Sequence, residues 1–148
     1  MRQPYAQPVV NWTLQVFRDG QQIDSFDGTT EVGHAGILTH DKVVMRNVDC
    51  AAQSAGSTDL QRTISVMPLR ADATGSVLAI DAHETLERDT APPTPQGCNP
   101  SPQLSRVHAD HPGLVVPAGQ WVNWQVVGQN PSLLYRVRAS LVPQSAQP

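Results

Sequence analysis

Leu60-Gln61-Arg62-Thr63-Ile64-Ser65-Val66-Met67-Pro68, joined by a short polar link to Ser76-Val77-Leu78-Ala79-Ile80-Asp81-Ala82-His83-Glu84-Thr85-Leu86-Glu87, is the stretch that decides the fold. In its first half Ile64 and Val66 alternate with Thr63 and Ser65. In its second half Leu78, Ile80, Ala82 and Leu86 alternate with Ala79, Asp81, His83 and Glu87. A period of two puts one set of side chains on a core face and the other toward water, which is the signature of half-buried strands. Arg70-Ala71-Asp72-Ala73-Thr74-Gly75 is expected to be the hairpin loop, with Pro68 ending the first strand, where a missing donor does least harm. Glu84 falls on the apolar phase, so it is expected to be partly buried or to mark the strand's end.

The same alternation extends outward in both directions. Val10, Trp12, Leu14 and Val16 share one face of a strand from Val9 to Phe17, and Asp19-Gly20 is a strong hairpin signal. Ile23 to Phe26 reads as the return strand and Asp27-Gly28 as a second turn, followed by a loop or bulged edge at Gly33 to Gly36. Ile37 to Val48 reads as the next strand. Downstream, Leu104 to Ala109 and Leu114 to Val116 read as short strands separated by a turn at His111-Pro112-Gly113. Trp121 to Val127 follows, and then a final strand with Leu133, Tyr135, Val137, Ala139 and Leu141 facing in and Arg136, Arg138 and Ser140 facing out. About nine strands and no amphipathic helix predict an all-β, antiparallel, sandwich-like single domain. The expected organisation is a disordered segment at 1–8, one β domain at 9–143 with a Pro-rich loop at 89–103, and a flexible tail at 144–148.

Composition excludes several function classes. The 148 residues carry a net charge of −3, and only 16% are charged against roughly 25% in an average soluble domain. The basic residues, nine Arg and Lys42, are scattered without a run. Nucleic-acid binding needs a clustered basic footprint, so no nucleic-acid partner is expected. No apolar run approaches the roughly 20 residues of a membrane helix, so no transmembrane helix is expected.

Cys50 and Cys98 both sit in turn-rich, polar surroundings. A disulfide between them would close a loop long enough to add about 4 kcal/mol in the chain-entropy model. Two free thiols are the alternative reading. A zinc site is poorly supported, because neither Cys has a Cys or His two to four residues away. The Cys pair points to an oxidising compartment, periplasmic or extracellular. Met1 to Pro8 lacks the succession of a signal peptide, so the expectation is that an export signal has been removed and Met1 supplied for expression.

Residues that could carry chemistry are few. His108-Ala109-Asp110-His111 is the one His cluster, and His108 and Asp110 would share a strand face from which a metal could be chelated. His83 beside Asp81 reads as a surface residue. No Gly-x-Ser-x-Gly elbow and no phosphate-cradling loop is present. No cofactor, no metal and no catalytic residue is therefore expected. Trp121-Val122-Asn123-Trp124 places its two Trp on opposite faces of a strand, so one can enter the core while the other is covered or exposed. An exposed Trp on a β surface marks a binding site. Trp121, Trp124, Arg136 and Arg138 are the expected contact residues.

Arg62 to Pro68, a turn ending at Gly75, and then Val77 to Glu84 together resemble the β-domain of bacterial outer-membrane secretins. There a strand ending in Val-x-Pro is followed by Gly-x-Val and an alternating strand with a late Glu. Val115-Val116-Pro117-Ala118-Gly119-Gln120 is similar to a late strand and Gly turn of that domain. The resemblance implies a part of a cell-envelope assembly. The expected function is thus a non-enzymatic exported envelope protein that binds another envelope protein or itself. The alternatives are a β-sandwich that binds carbohydrate or a small ligand, and a metal-dependent enzyme around His108, Asp110 and His111.

Overall fold

Val10, Trp12, Leu14 and Val16 are all buried, as the period-two pattern requires, and they define the core face of β1 (Val9–Arg18). The chain then turns through Asp19 and Gly20, both at positive φ (50° and 84°), the backbone that a two-residue hairpin with natural strand twist needs. Asp19 also anchors this turn across the fold. Its amide donates to the Ser132 carbonyl at 2.9 Å, and its carboxylate accepts from the Ser132 amide at 2.9 Å.

The computed structural model describes residues 7–46, 56–87, 104–129 and 131–143. After β1 come β2 (Gln21–Glu31), β3 (Gly36–Arg46), β4 (Gly56–Asp72), β5 (Gly75–Glu87), β6 (Leu104–Pro117), β7 (Val122–Val127) and β8 (Leu133–Leu141). They form two four-stranded sheets, ordered β2-β1-β8-β7 and β3-β4-β5-β6, in which every bonded pair is antiparallel. The fold is an all-β sandwich, with eight strands among the described residues, and the β4–β5 hairpin forms the centre of the second sheet. The core lies between the sheets. One wall supplies Trp12, Leu14, Phe26, Leu133, Tyr135 and Val137, and the other Ile64, Val66, Leu78, Ile80 and Val116.

Four sequence expectations are corrected. Asp27-Gly28 is not a turn, because β2 runs straight through it with Gly28 opposite Trp12. A Cβ at Gly28 would lie 2.3 Å from the Trp12 ring, so this glycine makes room for the indole. The Trp12 Nε1–H donates to Thr30 Oγ1 at 3.0 Å, and Gly36 packs closely on the same Thr30. His111-Pro112-Gly113 is likewise no turn. Leu104 to Pro117 is one strand with a bulge, which reduces nine expected strands to eight. Pro112 is tolerated there because β6 is an edge strand among the described residues, bonded to β5, and Pro112 falls at its bulge. Pro68 does not end its strand: β4 continues to Asp72, with a bulge directly after Pro68. The hairpin loop shrinks to Ala73-Thr74, fixed by the Asp72 carboxylate, which accepts from the Thr74 amide at 2.8 Å and the Gly75 amide at 3.2 Å.

Pro8, expected in the disordered segment, has its carbonyl bonded to the Val32 amide at 2.9 Å. Cys50, Cys98, the whole Pro-rich loop at 89–103 and the C-terminal tail lie outside the described residues.

The Gly28–Trp12 contact predicts that Gly28→Ala, a harmless change at most strand positions, destabilises the domain by about 1–3 kcal/mol through overpacking. Urea unfolding followed by tryptophan emission measures it.

Candidate functional site

Glu84 sits on the core-facing side of β5, with only 1% of its side chain exposed. A buried carboxylate is tolerated only with charged or hydrogen-bonded partners. Its partner is built into the ladder, because Arg62 on β4 is in register directly opposite. Arg62 Nε donates to one Glu84 oxygen at 3.0 Å and Nη2 to the other at 2.9 Å, a two-pronged pair. The opposite sheet contributes on both sides. The Tyr135 hydroxyl of β8 donates to Glu84, and Arg62 Nη1 donates to the Asp24 carboxylate of β2 at 2.8 Å. Asp24 also accepts from the Ser25 amide at 2.8 Å and bonds His40 Nδ1 of β3 at 2.8 Å. The His40 ring stacks on Phe26, with centroids 3.9 Å apart.

The result is a chain, Tyr135–Glu84–Arg62–Asp24–His40, that links both sheets. Burial pushes the Tyr135 phenol well above its ordinary value, and the negative charge of Glu84 adds to that. Burial works against the Arg62 charge, but the bonds to Glu84 and Asp24 outweigh it, so the guanidinium is held protonated more firmly than in water. Burial raises the Asp24 carboxyl, but hydrogen bonds from His40, Arg62 and the Ser25 amide bring it below its usual value of 3.8.

Arg62, Asp24 and His40 of this network form the inner wall of a cleft of about 660 Å³. The edges of β2 and β3 are not hydrogen-bonded to each other. They approach closely at Gly36 and Thr30, are clasped at His40 and Asp24, and beyond that clasp line the cleft. Around it lie Ile23 and Val43, 45% and 60% exposed, with Val44, Leu60 and Leu86, and with Arg18, Asp41, Lys42 and Glu87 as charges.

The four residues expected to make contacts fall into two places. Trp121 lies with Arg136 and Arg138, whose guanidinium carbons are each 4.8 Å from its ring centroid. Arg136 also approaches the Phe17 ring at 5.8 Å. Trp124 belongs to the core side, packed edge-on against Tyr135 at 5.5 Å and His111 at 5.2 Å.

The His108, Asp110, His111 set is not brought together. Asp110 shares the outer face with His108, but strand alternation puts His111, opposite Ile80, on the inner face against Trp124. His108 instead meets β5. Its Nε2 lies 2.6 Å from an Asp81 oxygen, and His83 Nε2 lies 3.1 Å from the other. The two imidazoles stack with centroids 4.0 Å apart. Sequence reading missed both groupings. The signal for the first was Glu84, a charge on an apolar phase. The signal for the second needed the β5–β6 register, which pairs His83 with His108.

Comparison with protein-family models, with curated proteins and with solved structures finds no match to this chain.

Two outcomes follow from the network. Arg62→Met leaves Glu84 as an unpaired buried charge and is expected to cost about 3–5 kcal/mol, whereas Arg62→Met with Glu84→Met costs less than the two single changes added. A denaturant double-mutant cycle measures this. Asp24 has its pKa lowered in the folded state. Its stabilisation is therefore complete above the ordinary value of 3.8 and is lost as pH falls through the lower folded value. Asp24→Asn is expected to flatten that part of the acid-unfolding profile, read by circular dichroism.

Proposed function

We propose that this protein is a non-enzymatic binding module that takes an extended polypeptide segment at the open seam between β2 and β3. One observation carries the reading: β2 and β3, sheet edges among the described residues, flank a cleft whose rim exposes Ile23 and Val43. An extended segment laid along such an edge gains main-chain hydrogen bonds, while alternate apolar side chains enter the cleft. The titratable groups of the inner wall are committed to one another, with Arg62 held between two carboxylates, which favours a structural role for them over catalysis.

Export to the cell envelope and a part in assembly there belong to the same proposal. They rest on Cys50 and Cys98 and on the likeness of the central hairpin to the secretin β-domain. The partner is then another envelope protein or a second copy of this chain. A second reading places the contact on the outer face of the β2-β1-β8-β7 sheet. It is favoured by Trp121 held against Arg136 and Arg138, since Trp and Arg dominate the energetics of protein interfaces.

Selection from a displayed library of extended peptides, followed by amide hydrogen exchange, distinguishes the two. Bound peptides are expected to have alternating apolar residues and to slow exchange at β2 and β3. Val43→Asp is expected to weaken them at least tenfold, about 1.4 kcal/mol. Slowed exchange confined to β7 and β8 would move the site to the Trp121 face. Absence of any peptide that binds above micromolar strength would remove the strand-addition reading.

A further inference from the structure

We propose that Asp81, His83 and His108 form a binding site for a divalent transition-metal ion, of the zinc and copper class, on the outer face of the β3-β4-β5-β6 sheet. The site lies apart from the cleft and does not depend on the peptide-binding reading. Three donor side chains converge here. The Nε2 atoms of His83 and His108 both point at the Asp81 carboxylate, one at each oxygen, at 3.1 and 2.6 Å. Their ligand atoms all lie within 4.8 Å of one another. Two imidazole nitrogens with a carboxylate oxygen suit zinc, copper and nickel far better than calcium or magnesium, which require an oxygen shell.

The backbone presents these groups ready placed. His83 and His108 are directly opposed in the β5–β6 ladder, and Asp81 lies two residues from His83 on the same face. Asp110 is paired with Asp81 in that ladder and occupies the fourth corner of the same square. Both strands are held by the ladder, and the stacked rings, tilted by only 11°, are already ordered. Binding an ion therefore orders little that is not ordered before. Binding through Nε2 uses the neutral imidazole that carries its one proton on Nδ1, so a bond from the ion to each Nε2 replaces the hydrogen bond to Asp81. Asp81 is held ionised: slight burial raises its carboxyl, but the hydrogen bonds from His108 and His83 lower it below its ordinary value. Both His side chains are exposed, so the ion would keep water on its outer side, as three-ligand protein sites do.

The remaining described histidines supply an internal comparison. His40 is bonded to Asp24, His111 packs on Trp124, and His34 lies beside Glu31 at 4.0 Å. The test is a titration of zinc chloride into metal-stripped protein, read by calorimetry and by histidine side-chain NMR. One saturable equivalent is expected, with shifts confined to His83 and His108. His83→Gln, His108→Gln and Asp81→Asn are each expected to weaken binding at least about tenfold. His34→Gln should leave it unchanged. These residues lie on the outer face, and an unchanged melting temperature of each variant without metal confirms that it folds. No saturable binding, shifts centred on other histidines, or binding that survives His83→Gln combined with His108→Gln would overturn the proposal.

Discussion

A carboxylate placed among apolar side chains must find partners, and in this fold the partners of Glu84 come from both sheets. Arg62 answers it across the β4–β5 ladder and Tyr135 from β8, while Asp24 of β2 holds the free end of the guanidinium. Apolar contacts between sheets are non-directional, so they bring the layers together without fixing where one sits on the other. The ion pairs and hydrogen bonds are directional. A slip of β4 by one residue against β5 would turn Arg62 outward and strand Glu84 in the core. The charged chain therefore selects one register and one stacking of the sheets, and the apolar core around it supplies the bulk of the stabilisation.

Much of this was legible in the residues. Strict alternation identified β1, β5 and β8 with the correct inward faces, and Asp19-Gly20 marked the first turn. Punctuation residues mislead. Glycine is the usual sign of a turn, yet Gly28 and Gly113 both lie within strands. Gly28 answers to Trp12, a residue on the neighbouring strand, and nothing local signals that. Pro112 follows from β6 being an edge, which only the strand order reveals. Arg62 and His108 posed the same difficulty: each acts with a residue more than twenty positions away, and only the register makes them neighbours.

The three surfaces so defined differ in kind. The seam cleft is a place where the sheets part, with apolar side chains left at its rim. The Trp121 face is a pre-assembled cationic and aromatic patch, its two guanidinium groups already held against one ring. The Asp81 cluster is polar and exposed, set on paired positions of the β5–β6 ladder. The Trp121 face and the Asp81 cluster use positions whose side chains the core does not need. The sandwich can thus present them without disturbing Trp12, Phe26 or Ile80 beneath.

The order of strands has a kinetic consequence. Among the described residues, five of the six hydrogen-bonded strand pairs join neighbours in the chain, from β1–β2 to β7–β8. The sixth, β1–β8, joins distant segments, with Val10 opposite Leu141. Hairpins close quickly because little chain entropy is lost in bringing their arms together, whereas pairing the first strand with the last orders nearly the whole polypeptide at once. The first sheet is continuous only through that one ladder. Its two hairpins can form as separate pieces, and the sheet exists as a unit only once its sequence-remote strands have met.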